Sequence, residues 1–186
     1  MQHDLFAMPA QAPSVFFALQ PAQGDQTVLN EALRTYAPRF GQATPLPVAK
    51  RHVTMLYLGQ PLEEQLPALL EGAQRAGQAL RAQSFVLTLD QLAVFGRNSL
   101  VLAAAQTPPT AADLEAQLRR QAALHRLQLA KPPKFHPHLT LAHTHDGKRI
   151  AAEAIAPVRL SFNEVLLLRG GGGDCYDVLG RWPLSH

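Results

Sequence analysis

One tripeptide pattern occurs twice in the sequence: a histidine and a threonine separated by one apolar residue. It reads His-Val-Thr at 52–54 and His-Leu-Thr at 138–140. Each copy lies in a β-rich run, and each run follows a stretch whose apolar residues have helical spacing. Because both halves of the chain carry this helix-then-strand unit, we expect two similar lobes with a site between them.

Apolar periodicity and turn residues predict the remaining elements. Strands are expected at 14–19, 52–58, 84–95, 99–105, 139–142, 162–169 and 176–182, and helices at 25–39, 62–82 and 111–129. A short helix at best is predicted at 150–156, a loop at 40–47, and turns at 96–98 and 170–173. The absence of a fixed short period excludes a repeat solenoid. We expect one domain over 14–186 after a flexible N-terminus at 1–13, with Tyr176 and Trp182 packed into the second lobe.

The composition limits the class of protein and its compartment. Hydrophobic residues make up 47% of the chain and charged residues 17%, which predicts a globular protein rather than a disordered one. Cys175 is the single cysteine, so an intrachain disulfide is excluded. The sequence lacks an apolar run that could span a bilayer, and it lacks the regions of a signal peptide. We therefore expect a cytoplasmic monomer without membrane association.

Strand geometry gives the repeated tripeptide a chemical meaning. Residues i and i+2 of a strand point to the same face, so His52 projects beside Thr54 and His138 beside Thr140. If the two strands are neighbours, two imidazoles and two hydroxyls line one cleft. Imidazoles can take a proton from water or give one to a leaving oxygen, and threonine hydroxyls can donate hydrogen bonds to phosphate oxygens. This combination favours phosphoryl chemistry on a cyclic ester.

The same segments carry a resemblance to a known family. The segments are Val-Phe-Phe-Ala-Leu at 15–19, and the stretches 52–59, 135–142 and 176–184. On these the chain resembles the 2H phosphoesterase superfamily, and more closely the bacterial RNA 2',3'-cyclic phosphodiesterases, historically called 2'-5' RNA ligases. The resemblance implies an α+β, bilobal 2H phosphoesterase fold, in which two antiparallel sheets flank a central cleft and the helices lie on the outside.

The resemblance also implies a reaction and the residues that perform it. An RNA or oligonucleotide with a 2',3'-cyclic phosphate end would be hydrolysed to a 2'-phosphomonoester, without a metal or another cofactor. His52 would be the general acid that protonates O3', and His138 would be the general base that activates water. Thr54 and Thr140 would bind the phosphate.

Further substrate contacts are predicted around the second motif and in one turn. Phe135 is expected either to stack on a base or to pack in the core. His136 is a candidate phosphate contact, although it is not a permanent cation. Arg97, Lys131 and Lys134 are candidates for contacts with the RNA, and solvated loops explain them as well.

Other functions are compatible with the same residues. A 2'-5' RNA ligase, or a hydrolase of another cyclic nucleotide phosphate, would use the same four side chains. A non-catalytic protein that binds RNA ends would not need all four, so their joint presence argues against it. A metallohydrolase would use the histidines of one segment, which are His136, His138, His143 and His145. Because that segment has no cysteine and one neighbouring acid, His143 and His145 are expected to face solvent instead.

Overall fold

The computed structural model describes residues 13–127, 129, 134–171 and 173–185. The predictions for residues 1–12, for Lys131 and for Gly172 lie outside the described residues. The helices described are α1 (Gln26–Tyr36), α2 (Leu66–Gln78) and α3 (Pro109–Leu124). The strands described are β1 (Val15–Leu19), β2 (Ala43–Pro45), β3 (Val53–Gly59), β4 (Phe85–Phe95), β5 (Ser99–Ala103), β6 (His138–Thr144), β7 (Glu153–Phe162), β8 (Glu164–Arg169) and β9 (Asp177–Pro183). None of these helices is long and apolar enough to cross a membrane.

The strands form one sheet that is nearly divided at its middle. The order is β7-β4-β5-β6-β3-β1-β8-β9, with β2 paired to β6 beside this path, and the named pairs are antiparallel. β3 and β6 pair only at Val53 and Leu139, whereas β1 and β3, or β5 and β6, pair along five residues. The sheet therefore has two halves that meet at one residue pair. The predicted α+β class with antiparallel sheets is confirmed.

The helices cover one face of both halves. α3 packs against β3 and β4, and α2 packs against β8 and β9. Buried side chains from the helices and from this face of the strands form the main apolar core. Successive residues of a strand point to opposite faces of the sheet, so the apolar side chains of the core are separated from those of the other face. The opposite face is therefore left for the cleft.

Two local predictions are wrong. The stretch 150–156 does not form a helix, since β7 begins at Glu153 and pairs with β4, where Ala154 lies opposite Gln91. Residues 153–156 contain helix formers, but the neighbouring strand decides their conformation, as tertiary context commonly does. The loop at 40–47 contains the short strand β2. The other predicted helices and strands are confirmed with shifted ends.

The closing hairpin β8–β9 also lies elsewhere than predicted. It completes the half of the sheet begun by β1 and β3, so neither Tyr176 nor Trp182 packs into the second lobe. The ring centroid of Trp182 lies 5.8 Å from that of Phe17 on β1. The ring occupies the space that side chains at Gly77 of α2 and Gly180 of β9 would fill. Two glycines thus let the helix and the strand close around one tryptophan.

Candidate active site

The junction between the two halves of the sheet places both tripeptides side by side. Val53 and Leu139 are the paired residues, and both are fully buried in the core. Extending this antiparallel register by one residue sets His52 opposite Thr140 and Thr54 opposite His138. These four side chains are half-buried and occupy the face opposite the core. The prediction that they share one face of neighbouring strands is therefore confirmed.

His52 is held from three sides. Its Nδ1 donates a hydrogen bond to the carbonyl oxygen of Lys50 at 2.7 Å. A carbonyl only accepts, so this bond assigns the proton of the neutral ring to Nδ1 and leaves Nε2 as the basic nitrogen. Nε2 lies 3.1 Å from the Thr54 hydroxyl, which can donate to it. The rings of Phe16 and Tyr176 pack against the imidazole at centroid distances of 4.9 and 5.2 Å.

His138 repeats the same backbone arrangement. Its Nδ1 donates to the carbonyl oxygen of His136 at 2.8 Å, again two residues earlier in the chain. Its Nε2 is therefore also the basic nitrogen of the neutral ring. The ring of Phe95 packs against this imidazole with a centroid distance of 4.9 Å. His136 is fixed in turn, because its Nε2 donates to the carbonyl oxygen of Ala104 at 2.9 Å.

Burial changes the protonation of both histidines in the same direction. It lowers the pKa of His52, partly offset by the hydrogen bond to Lys50, and the nearby charge of His138 lowers this pKa further. Burial likewise lowers the pKa of His138, partly offset by the bond to the His136 carbonyl, with a lowering contribution from the charge of His136. Both imidazoles are thus biased toward the neutral form, and protonating one disfavours protonation of the other.

A pocket of about 350 Å³ opens directly beside Thr54 and His138. Its walls combine aromatic and cationic side chains with the apolar part of β3. The residues lining it besides those two are Met55, Leu56, Tyr57, Phe95, Arg119, Lys134, Phe135 and His136. The structure therefore brings Phe135, His136 and Lys134 to the site, and Phe135 also packs against the main core. Arg97 is exposed in the turn after β4 and is not among the described residues that line this pocket.

A family model of the 2'-5' RNA ligase superfamily matches residues 26–174 of the chain. The chain belongs to the 2'-5' RNA ligase superfamily. It is 30% identical over 183 residues to the RNA 2',3'-cyclic phosphodiesterase of Escherichia coli (strain K12), covering 92% of this chain and 97% of that protein. It is also similar to the crystal structure of E. coli LigT in apo form, with a TM-score of 0.70 and 25% identity, covering 94% of this chain and 99% of LigT. For E. coli LigT complexed with 3'-AMP, the TM-score is 0.71 and the identity 26%, with the same coverage.

Membership of the 2'-5' RNA ligase superfamily confirms the resemblance drawn from the four sequence segments. The metal alternative gains no support from the described residues, among which no three His, Cys, Asp or Glu side chains cluster in a way that could hold a metal. His143 pairs with Thr44 and Ser99 towards the other end of β6 from His138. His145 is exposed as expected, and its Nε2 lies 2.8 Å from the Thr44 hydroxyl. His143 is half-buried, so it faces solvent only in part, which is less than expected.

Three aromatic residues lie at the site although the sequence did not predict them there. Phe16 was placed in a buried strand, although alternation with Phe17 already puts their rings on opposite faces. Phe95 ends β4 and is two residues from Ala93, so the two side chains share a face. Strand alternation could likewise have placed Phe95 on the cleft face. Tyr176 was expected to begin the last strand and to pack into the second lobe, but it lies just before β9 and contacts His52, because the closing hairpin folds back onto β1. No signal in the sequence locates it there.

Proposed function

We propose that this protein hydrolyses RNA 2',3'-cyclic phosphate ends to 2'-phosphomonoesters by metal-independent acid–base catalysis with two histidines. The observation that supports it most is the repeated support of His52 and His138. Each imidazole donates from Nδ1 to a carbonyl two residues earlier, which leaves Nε2 for proton transfer. Each also has a threonine hydroxyl two residues later on the same face. The E. coli relative, named an RNA 2',3'-cyclic phosphodiesterase, supports the same reaction.

The reaction needs one neutral and one protonated imidazole. His138 Nε2 accepts a proton from water as the water oxygen forms a bond to phosphorus. The bond from phosphorus to O3' breaks, and His52 Nε2 gives its proton to that oxygen. The product carries a free 3'-hydroxyl and a 2'-phosphate; the His52 proton is on O3', the water proton is on His138, and the positive charge has therefore passed from His52 to His138. Because the charge of one imidazole disfavours protonation of the other, the doubly protonated pair is disfavoured, and a proton bound by the pair leaves one ring neutral as this step requires.

The threonines and the adjacent pocket account for binding. The hydroxyls of Thr54 and Thr140 donate hydrogen bonds to the non-bridging phosphate oxygens, whose charge grows in the transition state. The pocket beside Thr54 and His138 receives the nucleobase, with Phe135 available for stacking and His136 at its rim. The similarity to a LigT structure complexed with 3'-AMP supports a nucleotide as the ligand.

Phosphorus NMR of one reaction tests the proposal against its alternatives. An oligonucleotide with a 2',3'-cyclic phosphate end is incubated with the protein in excess EDTA, and a 2'-phosphomonoester is the expected product. Loss of turnover in EDTA that zinc restores would contradict the metal-free reaction. Binding without turnover would identify an RNA-end-binding protein, and turnover of other cyclic nucleotides alone would exclude an RNA end as substrate.

Substitutions then assign the reaction to the two histidines. His52→Ala and His138→Ala should each lower kcat by about 10²–10⁴-fold. His145→Ala is the matched control, because this histidine is exposed and lies just beyond the other end of β6. Wild-type activity in either of the first two variants would remove that residue from the mechanism.

A modified leaving group separates the acid from the base. A substrate with sulfur in place of O3' has a leaving group that departs without protonation. It should restore much of the activity of His52→Ala and little of that of His138→Ala. The reverse pattern would exchange the two roles while leaving the two-histidine reaction intact.

A further inference from the structure

The cleft face of each half of the sheet carries a small apolar patch beside its histidine. In the half formed by β3, β1, β8 and β9, the patch consists of Phe16, Ala18, Leu166 and Leu168, and Tyr176 packs on it. In the other half it consists of Ala93, Val101 and Ala103, and Phe95 packs on it. These patches are separate from the main core, which lies on the helix face. One aromatic side chain therefore covers each patch.

Both covering rings also contact a histidine with their planes steeply inclined. Tyr176 lies at 86° to His52 with centroids 5.2 Å apart, and Phe95 lies at 63° to His138 with centroids 4.9 Å apart. Aromatic pairs prefer such edge-to-face geometry. Tyr176 is itself fixed at 88° against Phe16, which stacks near His52. Each imidazole is thus clamped between an aromatic ring and the carbonyl that accepts its Nδ1 proton.

We propose that Tyr176 and Phe95 are positioning residues, each of which holds the histidine of its own half of the sheet and shields it from water. A ring held by a hydrogen bond at one nitrogen can pivot about it, and an aromatic contact restricts that motion; at His52 the Tyr176 contact adds to those of Thr54 and Phe16. Catalysis is sensitive to such freedom, since misplacement by about 1 Å can lower a rate by 10²-fold. The contact is made by the ring, so the Tyr176 hydroxyl is not required.

Charged and titratable groups lie near each histidine in the described part of the chain. His52 faces Tyr176, the nearby His138, and Lys50, whose Nζ lies 5.7 Å from the centre of the Tyr176 ring. Burial raises the pKa of Tyr176, so its hydroxyl stays neutral at the pH where histidines titrate. His138 faces His136, which also contacts Phe95, and Arg119 and Lys134 line the same pocket as His138. Removing either aromatic ring therefore changes access of water without removing a charge.

NMR titration of the two imidazoles tests the pairing without relying on turnover. In Tyr176→Leu, the pKa of His52 should rise towards its ordinary value while that of His138 should not rise. In Phe95→Leu, the pKa of His138 should rise and that of His52 should not rise. Tyr176→Phe keeps the ring and should behave as wild type. Amide NMR spectra of the same samples report folding, and Tyr176→Met replaces Tyr176→Leu if that variant does not fold.

Kinetics adds a second readout that depends on the proposed function. Each leucine variant should lower kcat by about 10- to 100-fold and shift one limb of the pH–rate profile, a different limb for each variant. Unchanged histidine titrations in both leucine variants would overturn the proposal, as would equal shifts of both histidines in each variant. A Tyr176→Phe variant as impaired as Tyr176→Leu would assign the role to the hydroxyl instead. If the protein has no turnover and the histidine titrations still shift as expected, the positioning contacts are supported and the proposed function is refuted.

Discussion

Acid should destabilise this protein through the two histidines of the cleft. Burial lowers the pKa of both His52 and His138 in the folded chain, whereas the unfolded chain titrates them near about 6.5. Above that pH both states hold these rings neutral, and stability is unaffected. Below it the unfolded state binds protons that the folded state resists, so stability falls until the folded pKa is reached. Each ring contributes a slope of at most about 1.4 kcal/mol per pH unit, or about 2.7 for the pair.

Urea unfolding between pH 7.5 and 4.5, in buffers without phosphate, measures this slope. His52→Gln should reduce the slope by up to about 1.4 kcal/mol per pH unit relative to wild type. His145→Gln is the control, because solvent reaches that exposed ring in both states. Phosphate is left out since an anion in the cleft would favour the imidazolium. Identical slopes for wild type and His52→Gln would refute the reasoning, and a steeper slope in the variant would show that the fold stabilises the charged ring.

Other substitutions test the phosphate contacts and the packing. Thr54→Val and Thr140→Val should each lower kcat/KM by about 10- to 100-fold, since a hydroxyl that stabilises the transition state is lost. Urea midpoints close to that of wild type are expected for both, and full activity would exclude the contact. Gly77→Ala should destabilise the fold, because overlap with the Trp182 ring costs about 1–3 kcal/mol against a gain of about 1 kcal/mol in helix propensity. The same change should become stabilising in a Trp182→Leu background, and destabilisation of equal size there would contradict the overlap.

The parts of the site that follow from local alternation could be predicted from the sequence. His52 and Thr54 share a face because they are two residues apart in a strand, and this relation needs no knowledge of the neighbours. Which strands are neighbours is a different question. β6 lies between β5 and β3, and only this non-local pairing brings the second tripeptide to the first.

Elements whose pairing partners lie far along the chain were harder to predict from the sequence. β7 contains residues that suit a helix, and pairing with β4 makes it a strand. Tyr176 reaches His52 because the hairpin of β8 and β9 pairs with β1. The spacing of apolar residues does not predict this pairing. The positions of Phe95 and Phe16 could have been predicted from the sequence. Each lies in a strand where alternation puts its ring on the face opposite the core.

The single residue pair that joins the two halves of the sheet also determines how the molecule tolerates deformation. If the halves rotate relative to one another, an atom is displaced in proportion to its distance from the axis. Val53 and Leu139 form the narrowest connection between the halves, and the two histidines are their immediate neighbours in sequence. A rotation about this pair would therefore change the separation of the two Nε2 atoms less than it changes the width of the outer rim of the cleft.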